Sequence, residues 1–193
     1  MPISAVRIGI TPIQPTQFQP VPVSDEIVAQ AHEFIVGRLR VLLADQGWRY
    51  DLVEAALSAR GDDPYRARQA VEQLTAWARR PDWNDVLSNF ARCVRITREF
   101  TQTFPLDISR DPEPGTQALY RAYQSAAAHI TPQTSVDEFF VAFMPMVSVI
   151  SQFFVDVLVM ADDQAVRETR LALLQRIAAL PQGIVDLSKV EGF

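Results

Sequence analysis

The sequence predicts an all-α fold in which helices pack as a bundle, and three observations support this prediction. Beyond residue 23, apolar residues recur at intervals of three and four, which places them on one face of a helix. Capping residues, prolines and glycines interrupt these periodic stretches where helices would begin and end. No stretch of useful length alternates apolar and polar residues, and no unit of about 20–50 residues repeats, so neither strands nor a solenoid are expected.

The first 23 residues are predicted to form an extended or disordered linker, because they contain five prolines. Proline lacks an amide donor and restricts the residue before it. Ser24 then provides the N-cap of a first helix, with Asp25 and Glu26 in its first turn. Gly47 is expected to end this helix. Its apolar residues at helical spacing are Ile27, Ala31, Phe34, Ile35, Leu39 and Leu42.

Two shorter helices complete a small helical segment over residues 24–81. The second helix opens at Asp51 and closes at Gly61. The third begins at Asp63-Pro64, a capping residue followed by a proline at the first helical position, and ends before Pro81. Its apolar residues are Ala67, Ala70, Val71, Leu74 and Trp77.

Residues 82–193 are predicted to form the larger helical unit. Asp82 can cap a fourth helix, and the prolines and glycine of residues 103–115 predict a loop, followed by a fifth helix that contains Leu119. Residues 135–138 form a capping box, and the very apolar helix behind it should be the most buried, with a kink at Pro145. Asp162 or Asp163 caps the last long helix. Its inward residues are Val166, Leu173, Ile177 and Leu180, and Pro181 should bend or end it.

Composition limits the classes of function. The formal net charge is -5, which is unusual for a nucleic-acid-binding protein. Lys189 is the only lysine, so nearly all basic residues are arginines, which suit phosphates, base edges and stacking; a biased genome composition explains this equally well. The sequence lacks an apolar run of about 18 residues and a signal peptide. The single cysteine, Cys93, fits a reducing compartment, so a cytoplasmic location is expected.

The sequence contains no recognisable catalytic or metal-binding constellation. It has no glycine-rich phosphate loop, and His32 and His129 are not at ligand spacing with Cys93. The acidic pairs at residues 62–63 and 162–163 could bind a metal or transfer protons, but each precedes a helix, which favours N-capping. No catalytic residue, metal site or cofactor is therefore predicted in this chain.

Two sequence segments resemble the beta subunit of the bacterial, two-subunit glycyl-tRNA synthetase. Residues 43–55 read LADQGWRYDLVEA, and Gly61-Asp62-Asp63-Pro64 follows at the distance typical of that family. Residues 156–174 read DVLVMADDQAVRETRLALL, which is similar to a block near the end of that subunit. The order and spacing of the segments agree with the family, so the resemblance covers about residues 25–190.

This resemblance implies that the chain comes from the C-terminal region of the synthetase, with residues 82–193 as a helical anticodon-binding domain and residues 24–81 as a smaller segment before it. The domain is expected to have a fold similar to the C-terminal domain of arginyl-tRNA synthetase. It implies binding of tRNA-Gly through the two cytosines of the anticodon, and the alpha subunit, or a fused alpha region, as the protein partner. ATP and magnesium are then expected at the catalytic region elsewhere in this ligase of protein biosynthesis. Neither a membrane nor DNA is expected as a partner.

One motif departs from the family. In that family, the first helix of the anticodon-binding domain often carries the motif F-K-R-V-x-N-I. The corresponding residues 90–96 of this chain read FARCVRI. Arg92 matches the family arginine, but Ala91 replaces the lysine and Arg95 replaces the asparagine. The roles of those two family side chains are therefore open in this chain.

Five arginines are candidate RNA contacts: Arg92, Arg95, Arg98, Arg167 and Arg170. The first three follow at three-residue steps, which places them side by side on a helix, and the last two form a similar pair. Arginine stacks on unpaired bases and binds their edges. The alternative is a solvated face with ion pairs, for example between Arg167 and Asp163. The acidic net charge also leaves open a structural module that packs against other synthetase domains or the partner subunit without reading RNA.

Overall fold

The computed structural model describes residues 24–193, and this part of the chain is all-α, as the sequence predicts. The helices are α1 (Asp25–Asp45), α2 (Tyr50–Arg60), α3 (Pro64–Ala78), α4 (Trp83–Thr97), α5 (Pro114–Ala127), α6 (Val136–Asp156) and α7 (Gln164–Ala179). Two 3-10 turns accompany them, Ile108–Arg110 and Leu187–Lys189. The predicted linker over residues 1–23 lies outside the described residues and stays a prediction.

The predicted helix starts are confirmed where a side chain caps the helix. The carboxylate of Asp63 accepts a hydrogen bond from the Arg66 amide at 3.0 Å. Asp163 caps α7 by accepting from the amides of Ala165 and Val166. Ser135 and Glu138 form the predicted capping box of α6, each side chain accepting from the backbone of the other. Such caps satisfy amides that have no partner inside the helix.

Two predicted helix starts differ in the structure. Asp82 occupies the N-cap position of α4, but its carboxylate pairs with the Arg80 guanidinium at 2.7 Å and makes no capping bond. Helix α5 begins at Pro114, inside the stretch that is predicted as a loop. A proline at the first helical position needs no amide partner, and its fixed φ suits the helix. The same residue that favours a loop by composition therefore starts a helix here.

The core is built around α6, which packs on α3, α4 and α5. The prediction that α6 is the most buried helix is wrong: seven of its 21 residues are buried, against six of 11 in α2, because one side of the long α6 remains open to solvent. Phe139, Phe140 and Phe143 are fully buried, and the Phe143 ring meets Phe90 of α4 edge-to-face at 5.9 Å. Pro145 lies inside α6 without ending it. By length and composition alone, α6 could cross a membrane, a property shared by buried helices of soluble bundles.

A single hydrophobic core joins the two parts predicted on either side of residue 81. The chain returns to α2 near its end, where the amide of Asp186 donates to the Ala55 carbonyl at 2.9 Å. The buried guanidinium of Arg60 donates to the carbonyls of Thr134 and Ile184. The predicted boundary near residue 81 therefore lies within one continuously packed core. The division into two helical units stays a prediction.

Helix α1 is placed differently from the other helices. It packs mainly on α2, where the Arg40–Glu54 ion pair joins the two helices, and Leu43 is its only buried residue. Gly47, with φ +84°, adopts the left-handed conformation just after the helix ends, as its predicted role requires. Much of the predicted apolar face points to solvent. Four large apolar side chains of that face have at least half their surface exposed: Ile27, Phe34, Ile35 and Leu42. Val28 and Val41, which were not assigned to the face, are also more than half exposed.

Candidate nucleic-acid interface

The outer face of α4 carries the three arginines that the sequence places side by side. Arg92 and Arg95 are exposed on α4, and Arg98, the C-cap residue, is exposed just beyond it. The opposite face packs on α6 and α7, where Ala91 and Cys93 are fully buried. Because buried neighbours fix the rotation of α4, the arginines point away from the core. We call Arg92, Arg95 and Arg98 the α4 arginine row.

Aromatic rings support two members of the α4 arginine row. The Cζ atom of Arg92 lies 4.2 Å from the centre of the Phe154 ring, and that of Arg95 lies 5.9 Å from the Phe193 ring. A guanidinium above an aromatic face is held by cation–π attraction, which leaves its N–H edges open. Within residues 24–193, no ion pair involves the row. Its donors are therefore available to phosphate or base oxygens.

Helix electrostatics also explain the position of the α4 arginine row. Asp85 lies in the first turn of α4 and Arg95 in its last turn. The helix dipole favours acidic residues at the N-terminus and basic residues at the C-terminus. This arrangement stabilises α4 without any ligand, so the exposed donors and the aromatic supports carry the argument for an interface.

Arg167 lies apart from the α4 arginine row and closes a loop. It is half-buried, and its Nη1 atom donates to the Ala161 carbonyl at 2.7 Å. Among the described residues it forms no ion pair with Asp163, which instead caps α7. The ion pair between Arg167 and Asp163 that the sequence suggests as an alternative to RNA contact is therefore not formed. The side chain connects the start of α7 with the residues before it.

Arg170, which the sequence predicts as an RNA contact, is buried in a structural ion pair. The residue is 8% exposed, and its Nε and Nη2 atoms donate to the two oxygens of Asp111 at 2.6 and 3.1 Å. Its Nη1 atom donates to the Leu158 carbonyl at 2.7 Å. These bonds connect α7 to the loop before α5 and to the segment that follows α6. All three guanidinium nitrogens are thus engaged inside the fold, which disfavours a contact of this side chain with RNA.

The carboxylate of Asp111 is the other half of this buried site. Burial would raise its pKa, but hydrogen bonds from Arg170, from the Thr116 hydroxyl and from the Glu113 amide outweigh burial and lower the pKa. Sequence reasoning missed Asp111, which lies in a proline-rich loop 59 residues before its partner. The only local signal is its position just before the start of α5.

The single cysteine and the two histidines of the chain lie at positions that do not form a reactive site. Burial raises the pKa of the Cys93 thiol to about 12, so it stays protonated at neutral pH. His32 and His129 are both exposed. In residues 24–193 no three His, Cys, Asp or Glu side chains are grouped so that they could hold a metal ion.

A cavity of about 730 Å³ opens between the end of α5 and the first half of α6, away from the α4 arginine row. Its carboxylates are already engaged: Asp137 accepts from the indole of Trp77 at 2.9 Å, and Glu138 belongs to the capping box. The nearby His129 ring bonds to the Ser125 carbonyl. The cavity therefore offers few free groups that would select a ligand.

Comparison with known proteins relates most of the chain to one enzyme. No protein-family model matches the sequence. The chain is 32% identical, over 85% of its length, to a glycine–tRNA ligase beta subunit from Desulforudis audaxviator, and 32% identical, over 88%, to one from Phenylobacterium zucineum. It is 29% identical, over 91%, to the chloroplastic/mitochondrial glycine–tRNA ligase 2 of Arabidopsis thaliana.

The chain spans 24%, 26% and 17% of the length of these three relatives, respectively. The resemblance that rests on residues 43–55 and 156–174 is thus confirmed in its general form. The position of the matched region within the relatives and the likeness to the arginyl-tRNA synthetase fold stay predictions. Over most of its length, this chain is similar to a part of glycine–tRNA ligases, chiefly of their beta subunits.

Proposed function

We propose that this chain is the anticodon-recognising part of a glycine–tRNA ligase, which positions tRNA-Gly for charging at an active site elsewhere in the enzyme. Similarity to glycine–tRNA ligases over 85–91% of the chain supports the assignment to this enzyme. The α4 arginine row is the observation that carries the RNA-binding part of the proposal. Activation of glycine with ATP and magnesium would belong to the alpha subunit or a fused alpha region.

The chemistry of the α4 arginine row suits an unpaired RNA triplet. Unstacked bases present a flat face and hydrogen-bonding edges, and arginine can engage both. Cytosine presents two acceptors on its pairing edge, and a guanidinium presents several donors in one plane. The guanidinium of Arg92, held over Phe154, offers such donors on a supported surface. Two adjacent cytosines could therefore each meet one arginine of the row.

The acidic net charge shapes how this binding would work. At a formal charge of -5, the molecule as a whole repels a polyanion, so a basic row would attract RNA only locally. We expect weak binding by the isolated chain, with a clear loss of affinity as salt increases. Such a module would orient tRNA, and the rest of the enzyme would supply most of the affinity.

The test is a titration of the chain with tRNA-Gly and with a tRNA-Gly in which both anticodon cytosines are replaced by uracil. We expect at least about a tenfold preference for the natural anticodon. The Arg92→Ala and Arg95→Ala variants should each weaken binding of the natural tRNA by about five- to 150-fold, which corresponds to about 1–3 kcal/mol per lost base contact. They should also reduce the preference between the two tRNAs.

Arg121→Ala is the matched control, since Arg121 is an exposed helical arginine on α5, whose main contacts are with α6 and α7. It removes the same charge at a different surface and should leave the preference unchanged. Equal affinity of the chain for both tRNAs would reject anticodon recognition. An equal loss in the control and in the α4 variants would reject the row as the contact surface.

A second candidate function is a structural module that packs against another synthetase domain or the partner subunit. Three exposed apolar residues around the end of α6 favour it: Val155, Leu158 and Met160 are 75%, 73% and 47% exposed. Apolar groups clustered in this way are typical of protein contact surfaces. If the chain is such a structural module, Leu158→Ser is expected to weaken association with the alpha subunit, and Arg92→Ala is expected to leave tRNA affinity unchanged.

A further inference from the structure

Arg60, the last residue of α2, carries a buried positive charge that no carboxylate of the described chain neutralises. The residue is 5% exposed, yet within residues 24–193 it takes part in no ion pair. Charged side chains are almost never buried to this extent without a partner of opposite charge. Arg170, which is buried to a similar extent, has such a partner in Asp111. The charge of Arg60 therefore needs another explanation.

Two of the three guanidinium nitrogens of Arg60 are engaged by the backbone. Nε donates to the Ile184 carbonyl at 3.2 Å, and Nη2 donates to the Thr134 carbonyl. Nη1 makes no hydrogen bond to any residue from 24 to 193. In this part of the chain, the one fully buried side-chain polar atom without a partner is Oδ1 of Asn89, so Nη1 keeps contact with solvent. One donor of the buried guanidinium is thus open to a ligand.

Arg60 lines a cavity of about 230 Å³ that lies beside the end of α2, between the first half of α3 and the start of α6. A water molecule occupies about 30 Å³ of the liquid, so the cavity can hold a small polyatomic ion. No carboxylate side chain lines it. The lining includes five side chains with nitrogen donors: Arg60, Arg66, Gln69, Gln73 and Gln133. This composition favours an anion.

Two of these side chains on α3 have donors to spare. The Asp137 amide donates to Oε1 of Gln73 at 3.3 Å, which uses the acceptor of the Gln73 amide group and leaves its Nε2 as a donor. Arg66 lies in the first turn of α3, with its Nε 3.6 Å from the Asp63 carboxylate. The two Nη atoms of Arg66 make no hydrogen bond within the described residues.

The charges around the cavity leave its two guanidinium groups only partly compensated. Burial is the main cause of a lowered pKa for Arg60, and the nearby charge of Arg66 lowers that pKa further. Asp62 and Asp63 act in the opposite direction, but neither lines the cavity, and Asp63 is engaged as the N-cap of α3. An anion in the cavity would attract both guanidinium groups at once.

We propose that this cavity binds a phosphate group, either free or in the backbone of a nucleic acid, through Arg60, Arg66 and Gln73. A carboxylate has its two oxygens in one plane, whereas phosphate presents oxygens in three dimensions. The donors lie on two helices, α2 and α3, and the cavity is closed by the start of α6, which suits the tetrahedral ion. The site shares no residue with the α4 arginine row, so it stands or falls independently of anticodon recognition.

The test is a calorimetric titration of the full chain with inorganic phosphate at constant ionic strength, adjusted with sodium chloride. We expect one saturable site with a Kd on the order of 1 mM. Arg66→Gln should raise this Kd by at least about tenfold, because it removes a charge-assisted bond. Gln73→Glu keeps the acceptor for the Asp137 amide but places a carboxylate in the cavity, so it should abolish phosphate binding.

Arg68→Gln is the matched control, since Arg68 is an exposed arginine of the same helix that pairs with Glu72 and does not line the cavity. It should change the Kd by less than about twofold. No saturable binding of phosphate to the natural chain would overturn the proposal, as would an equal loss in Arg66→Gln and Arg68→Gln. If Arg66→Gln does not fold, undiminished binding by Gln73→Glu would likewise overturn it.

A titration with tRNA-Gly identifies the source of the phosphate. If the group belongs to RNA, Arg66→Gln should weaken binding of the natural tRNA and of the anticodon variant equally, and it should reduce the salt dependence by about one released counterion. Unchanged tRNA affinity beside saturable phosphate binding would assign the site to free phosphate. Variants of the α4 arginine row differ from both cases, because they should change the preference between the two tRNAs.

Discussion

The ion pair between Arg170 and Asp111 is the most enclosed charged contact in the described part of the chain, with side-chain exposures of 9% and 2%. Removing one partner of a buried pair leaves the other charge without compensation. We expect Asp111→Ala to lower the free energy of unfolding by about 3–5 kcal/mol, measured by urea denaturation.

The control for Asp111→Ala is Asp82→Ala, which removes a carboxylate from an exposed pair with Arg80. Exposed pairs are screened by water and salt, so the control should change stability much less. Similar losses in the two variants would mean that the Asp111 site does not act as a buried charge pair.

The five candidate arginines illustrate what local sequence can and cannot resolve. The three-residue steps of Arg92, Arg95 and Arg98 correctly predict neighbours on one helix, because helical geometry is local. The same spacing also led to the prediction of Arg167 and Arg170 as RNA contacts, yet Arg170 is buried. Its partner Asp111 comes from a distant loop, and no periodicity in α7 encodes that contact.

Helix ends were predictable where one side chain determines them, and helix orientation was less so. Ser135, Asp63 and Asp163 cap helices at the positions read from sequence. The apolar spacing of α1 correctly predicted a helix but not its surroundings. Spacing states which residues share a face, whereas the neighbouring elements decide whether that face is covered.

The capping box of α6 gives a test at the level of one helix. Ser135→Ala removes the acceptor for the Glu138 amide and the hydroxyl bonded to its carboxylate. We expect the free energy of unfolding to fall by about 1 kcal/mol, measured by urea denaturation. Ser148→Ala is the control, because Ser148 is exposed in the middle of the same helix. Alanine is the better helix former there, so stability should be unchanged or slightly higher. An equal loss at both serines would contradict a specific role of the cap.

For the whole molecule, sequence reasoning gave the all-α class and the order of helices but not the continuity of the core. The proline near residue 81 and the change of pattern there suggested a boundary between two units. In the structure, α3 packs on α6 and the end of the chain returns to α2. Contacts between segments so far apart in sequence leave no mark on local composition.

Acid should destabilise the molecule through carboxylates that are hydrogen-bonded in the fold. Asp51 is a second such carboxylate beside Asp111. Burial would raise the pKa of Asp51, but hydrogen bonds from the Arg49 guanidinium and the Glu191 amide lower it. A lowered pKa means that the stabilisation is fully present above the unfolded value of about 3.9 and is lost as pH falls toward the folded value. The free energy of unfolding should therefore decrease between about pH 5 and pH 3.

This pH dependence is measured by urea denaturation at several pH values, with Asp111→Asn as the comparison. The variant lacks one titrating carboxyl, so its stability should fall less steeply over the same range. An identical slope in the variant and the natural chain would show that Asp111 does not contribute to acid sensitivity.

The bonds from Arg60 bear on how the chain acquires its structure during synthesis. Its guanidinium donates to the carbonyl of Ile184, which is 124 residues later in the sequence. A carbonyl of α2, that of Ala55, also accepts from the Asp186 amide. A ribosome releases α2 long before these partners emerge from the exit tunnel. Until then Arg60 lacks its protein acceptors, so α2 can reach its final environment only after residues 184–186 have left the ribosome.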